Sequence, residues 1–78
     1  GRKFVKILNM VEVFKTNVMH HTDARKMELL LRAAFPDCVL NFDLDDCDRI
    51  FRIVSTADVS EKVIAIFREQ QFTCSVLL

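Results

Sequence analysis

Glycine and proline are almost missing from this chain: 78 residues hold one of each, Gly1 and Pro36. A lone glycine at the first position excludes glycine-rich phosphate loops and the dinucleotide fingerprint, which need glycines where backbone must approach a ligand closely. G-x-S-x-G and H-E-x-x-H are absent as well, so neither a nucleophile elbow nor a zinc-protease helix can be drawn, and no enzyme is expected. No run of about 18 apolar residues exists that could cross a bilayer as a helix. The opening GRKFVKILN is basic and apolar, but it lacks the long apolar centre and small-residue cleavage site of a signal peptide. Cysteine is sparse and odd in number: Cys38, Cys47 and Cys74, with no CxxC pair. That excludes a disulfide scaffold and leads us to expect reduced thiols in a cytoplasmic protein. An excess of either charge is also lacking. Eleven basic residues balance 11 acidic ones, for a formal net charge of +0, which gives no electrostatic basis for binding nucleic acid.

Apolar side chains are what the chain does have, at 51% of residues. A chain this short buries only roughly 60–65% of its unfolded surface, enough for one compact core and no more. Residues 1–9 read as an N-terminal extension, either the remnant of a tag or a lengthened first strand. Residues 10–78 read as one domain.

With so few glycines and prolines, side-chain periodicity must set the elements. MVEVFKTNV, 10–18, alternates as a strand, with Phe14, Thr16 and Val18 on one face and Val11 and Val13 on the other. Thr22 or Asp23 is then the expected helix cap. Met27, Leu30, Leu31, Ala34 and Phe35 follow at the spacing of one apolar helical stripe, which Pro36 ends. CVLNFDL, 38–44, puts Leu40, Phe42 and Leu44 on one face of a second strand. DDCD makes a polar turn, and RIFRIVS returns as a third strand. Asp58 stands three residues before Glu61, as in a capping box, ahead of a second stripe of Val59, Val63, Ile66 and Phe67. FTCSVLL, 72–78, closes as a fourth strand.

The order β-α-β-β-α-β predicts an α+β fold, the ferredoxin-like sandwich: a four-stranded antiparallel sheet with two helices on one face. Following the chain up and down through this order puts three connections at one end: the loop at 17–23, the hairpin tip at 45–48 and the turn at 70–73. His20, His21, Asp45, Asp46, Cys47 and Cys74 then lie near that end, and Cys38 lies at the other.

This order, with its stripes, resembles the heavy-metal-associated domain family of copper chaperones, mercury-binding proteins and the soluble modules of metal-pumping ATPases. The resemblance spans residues 10–78. Where that family reads G-M-T-C-x-x-C, this chain reads NVMHHTD, 17–23. Val18 falls where the family's methionine plugs the core, Met27 and Leu31 fall on its apolar helix positions, and Gln71-Phe72 stands in place of its Gly-Phe. The family's two cysteines align with His20 and Asp23. The resemblance therefore implies a small binding protein that has lost its thiolate pair, and with it the means to hold soft Cu(I). Imidazole and carboxylate suit harder divalent ions instead: Zn, Ni or Cu(II).

The candidate metal ligands are His20 and His21, with Asp23 or Cys74 completing three or four at the roughly 2.0–2.3 Å that zinc requires. The alternative is a solvated loop. Free N–H groups at the same helix start, beside Arg25 and Lys26, offer an anion a site. The acidic tip DLDDCDR lacks the glycine, the length and the terminal glutamate of a calcium loop, so it reads as a solvated turn, with Cys47 exposed. An RNA-recognition sheet needs aromatic rings on its open face, and the alternation of Phe51 with Ile53 turns Phe51 inward.

A second surface competes with the loop. Val11 and Val13, joined by Ile50 and Leu77, are expected to form an apolar patch on the sheet face away from the helices. Two occupants are expected for it: a second copy packed sheet on sheet as a homodimer, or residues 4–8, FVKIL. This gives a second functional reading, a metal-free interaction or oligomerisation module.

Overall fold

The computed structural model describes residues 9–77. Its elements are β1 (Met10–Thr16), α1 (His21–Ala34), β2 (Val39–Asp43), β3 (Ile50–Ser55), α2 (Ser60–Glu69) and β4 (Cys74–Val76). All strand pairs are antiparallel, in the order β2-β3-β1-β4, which is the α+β ferredoxin-like sandwich. The reading of residues 4–8 as a longer first strand, or as a cover for the sheet, lies outside the described residues.

Strand alternation fixes the core. Register puts Phe14 opposite Phe51 and Phe51 opposite Phe42, so the three rings form one row across the sheet. Phe67 of α2 sits on this row, its ring centroid 5.5 Å from that of Phe51 and 6.0 Å from that of Phe42. Tilted rings at these spacings pack favourably. Phe42 is only partly buried, whereas Val18, Met27, Leu31, Ile53 and Val63 join Phe14, Phe51 and Phe67 in the fully buried set. Phe51 thus points into the core, as its alternation predicts.

Element ends depart from the sequence reading where a side chain or a tight turn takes over from periodicity. β1 stops at Thr16, yet Val18 is still fully buried. The Thr16 hydroxyl explains the turn: it accepts from Val18 N–H at 3.2 Å and donates to the Arg49 carbonyl at 2.6 Å, so the chain bends back over the core. α1 begins at His21 with His20 as its extended N-cap residue, ahead of the expected Thr22 or Asp23, and makes no side-chain capping bond. Its inner stripe is Ala24, Met27, Leu31 and Phe35. Leu30 is 38% exposed and Ala34 is exposed, because the stripe drifts toward the Ala24 side of the helix.

At the start of α2 the expected Asp58–Glu61 box does not form. The Asp58 carboxylate accepts from both the N–H and the hydroxyl of Ser60, at 2.9 and 2.7 Å, while Glu12 of β1 accepts the Val59 N–H at 3.2 Å. The α2 C-terminus is a Schellman motif. Gln71 N–H reaches the Arg68 carbonyl and Phe72 N–H the Phe67 carbonyl, both at 2.9 Å, with Gln71 at φ +66°. The cap uses up Gln71 and Phe72, so β4 keeps only the three residues Cys74–Val76 of the seven expected.

Candidate functional site

Backbone bonds gather the three predicted connections at one end. Thr16 N–H donates to the Asp48 carbonyl at 3.1 Å, tying β1 to the hairpin tip. Asn17 N–H reaches the Thr73 carbonyl at 3.4 Å, and Thr73 N–H returns to Asn17 Oδ1 at 2.8 Å. The rim anticipated from chain topology therefore exists, and Asn17 is its clasp.

The proposed ligands on that rim do not form one set. His20 and His21 are both exposed, and Asp23 is half-buried in the first turn of α1. His21 lines a depression of about 200 Å³ with Arg25, Glu28, Asn41 and Phe42, on the β2 side of the sheet. Cys74 sits on β4, the opposite edge strand, where register places it beside Thr16 and its side chain packs against the core. Burial pushes its thiol up to about 12, so a metal would have to displace its proton at a cost that an exposed thiol does not carry.

Among the described residues, the one group of three whose ligand atoms lie within 4.8 Å of one another is Asp46, Cys47 and Asp48 at the hairpin tip. Internal bonds already account for this arrangement. Asp46 Oδ1 accepts from Asp48 N–H at 2.9 Å, and the Asp46 carbonyl accepts from Arg49 N–H at 3.0 Å. The Arg49 guanidinium then donates to the Leu44 carbonyl at 2.7 Å, closing a turn in which Arg49 takes φ +50°. Asp48 also pairs with Lys15 at 3.8 Å on the surface, an interaction of little energy. These polar groups build the turn.

The sheet's outer face is a different kind of surface. Residues directly opposite in an antiparallel pair project to the same side, so register writes this face as three rows. Val39, Val54 and Val11 form the first row. Asn41, Arg52, Val13 and Leu77 form the second, Leu77 being held opposite Val13 by its N–H bond to the Val13 carbonyl at 2.8 Å. Asp43, Ile50, Lys15 and Ser75 form the third. Val39 is 70% exposed, Val11 60% and Leu77 40%. Val13 and Val54 are half-buried between them. Ile50, expected in this patch, shares the face but is only 4% exposed and offers almost no surface. It lies on a central strand between Lys15 and Asp43, where flanking side chains shade it. Val39 was missed by sequence reasoning, although its alternation with Leu40 already places it opposite the core.

A larger depression of about 470 Å³ lies at the far end, among Phe35, Pro36, Cys38, Val54 and Val59. Nothing in the motif pattern marks it beyond the break at Pro36. Ser55 borders it, but its hydroxyl already donates to the Ala57 carbonyl.

No protein-family model matches this chain, and neither a curated protein nor a solved structure matches it.

Proposed function

We propose that this domain is a small non-catalytic interaction module, working without metal through the open face of its sheet. The observation that carries this reading is the aliphatic row Val39–Val54–Val11, continued by Val13 and Leu77, on a face where a solvated antiparallel sheet carries polar side chains. Exposed valines contribute little to folding, so such a continuous row is better explained by something it touches. The resemblance to heavy-metal-associated domains is compatible with this. That frame leaves the sheet's outer side open, and the positions of its thiolates hold His20 and Asp23 here. The competing reading, a Zn, Ni or Cu(II) site in the 17–23 loop, draws support from the two exposed imidazoles alone.

The test uses a neutral environment-sensitive dye, Nile red, at low micromolar protein. Wild type should enhance its fluorescence, and a Val11→Thr/Val54→Thr variant should lose most of the enhancement. Because both sites are outside the core, its unfolding free energy should stay within about 0.5 kcal/mol of wild type. Equal dye binding by both proteins would remove the open face as the working surface. In parallel, Zn(II), Ni(II) and Cu(II) titrations should leave the His20 and His21 imidazole resonances in place at micromolar metal. Coupled shifts of both would replace this reading with the metal one.

A further inference from the structure

We infer that the occupant of the open face is a second copy of this chain, the two sheets packed face to face about a two-fold axis running along the strands. This rests on the reading of that face as the working surface, and the layout of the three rows selects the partner and the axis.

A two-fold axis lying between the sheets and parallel to the strands keeps each row over itself and reverses the strand order. With the order β2-β3-β1-β4, β3 then covers β1 of the second copy, and β2 covers β4. Val54 faces Val11 of the second copy, and Val11 faces its Val54, so the most exposed row is covered by its own kind. Leu77 of the second copy comes over Asn41, one row from Val39, and Val13 lies under the aliphatic stem of its Arg52. In the third row Lys15 crosses over Ile50 and arrives next to Asp43 of the second copy, twice by symmetry. Within one chain these two charges are kept apart by the strand carrying Ile50.

The alternative axis, across the strands, lays the first row over the third. Val39, Val54 and Val11 would then meet Asp43, Ile50 and Lys15, which sets valines against charges. A face self-complementary about one axis and mismatched about the other is what an isologous interface looks like from one side.

Area sets the strength. Four strands about 4.8 Å apart and three rows about 6.8 Å apart cover roughly 400 Å² per copy. Two such faces fall short of the roughly 1,200 Å² at which stable interfaces begin, so the dimer is a weak one that dissociates on dilution.

The experiment is sedimentation equilibrium of the intact chain from micromolar to millimolar, with amide resonances followed over the same range. Wild type should dimerise in the upper part of the range, with shifts concentrated in β1 and β3 rather than α1. Val54→Lys should abolish the association. Lys15→Glu and Asp43→Arg should each weaken it by about fivefold, because each sets like charges together twice. Mixed in equal amounts, these two variants should associate as strongly as wild type, since the mixed pair restores both contacts. Failure of the mixture to recover would overturn the axis along the strands. A wild type that stays monomeric at millimolar concentration while keeping its Nile red response would overturn the second copy as occupant and leave the interaction reading standing. A dimer indifferent to Val54→Lys would remove both.

Discussion

Gln71 holds a backbone conformation that its residue type resists. At φ +66° it is the left-handed residue of the α2 Schellman motif, a position glycine fills without steric conflict. In that region an L-residue's Cβ crowds the following carbonyl, at roughly 1–2 kcal/mol. Gln71→Gly removes this conflict but adds backbone freedom to the unfolded chain, worth about 0.5–1 kcal/mol the other way. Gln71 is exposed, and no hydrogen bond of its side chain is seen among the described residues, so little else is lost. The net expectation is a stabilisation of about 0.5–1 kcal/mol, or about 3–6 °C in Tm for a domain of this size. Urea unfolding followed by circular dichroism measures it as a rise in the midpoint at unchanged slope. Arg49→Gly is the matched comparison. Arg49 is also left-handed, at φ +50°, but its guanidinium donates to the Leu44 carbonyl at 2.7 Å, so relief of strain and loss of that bond should nearly cancel. A Gln71→Gly protein no more stable than wild type would refute the account of this turn. So would equal gains at both positions, which would show that the side-chain bond at Arg49 carries no weight.

Acid should act on the start of α2. The Ser60 hydroxyl and then its backbone N–H donate to the Asp58 carboxylate and hold it below its ordinary 3.8. A depressed carboxylate contributes stability that is present above about pH 3.8 and is lost as pH falls through the lower folded value. Asp58→Asn should therefore flatten the loss of stability in that acid window and leave the profile near neutrality parallel to wild type; an unchanged acid slope would show that Asp58 is not the group responsible. Thiol labelling should separate the cysteines. With burial pushing its thiol up to about 12, Cys74 should react near pH 8 at least about tenfold more slowly than the exposed Cys47, which labels first. Mass-resolved alkylation reads the order, and early modification of Cys74 would contradict its burial.

Alternation made the sheet legible. Phe14 with Thr16, Leu40 with Phe42 and Phe51 with Ile53 each share the face that periodicity assigned, because a strand that skips one residue reverses every side chain. The connection rules then located the common rim at 17–23, 45–48 and 70–73. What stayed hidden depends on single hydrogen bonds. Nothing in the pattern at 72–78 announces that a left-handed Gln71 would draw Phe72 into a helix cap and leave a three-residue β4. Glu12 reaches the start of α2 across 47 positions of chain, a pairing no local motif encodes. The candidate site was legible in part. Val11, Val13 and Leu77 follow from alternation, but the weight of Val39 and the shading of Ile50 depend on which strand lies at the edge and which at the centre, a property of the assembled sheet.

The topology that gathers the rim also sets Cys74 apart from the depression beside His21. Two ligands three residues apart, on a loop that opens a helix, can meet at one ion because a single turn of backbone carries both. Ligands recruited from strands must bridge the sheet instead. In the order β2-β3-β1-β4, the depression beside His21 borders β2, while Cys74 lies on β4, three strand spacings or about 14 Å away at the level of the backbone. The side chain at 74 also packs against the core, as register with Thr16 requires, and burial pushes its thiol up to about 12. The rim is held by Asn17, Thr16 and Arg49 acting on backbone. The apolar row Val39–Val54–Val11 lies away from this rim, on the side of the sheet opposite the helices.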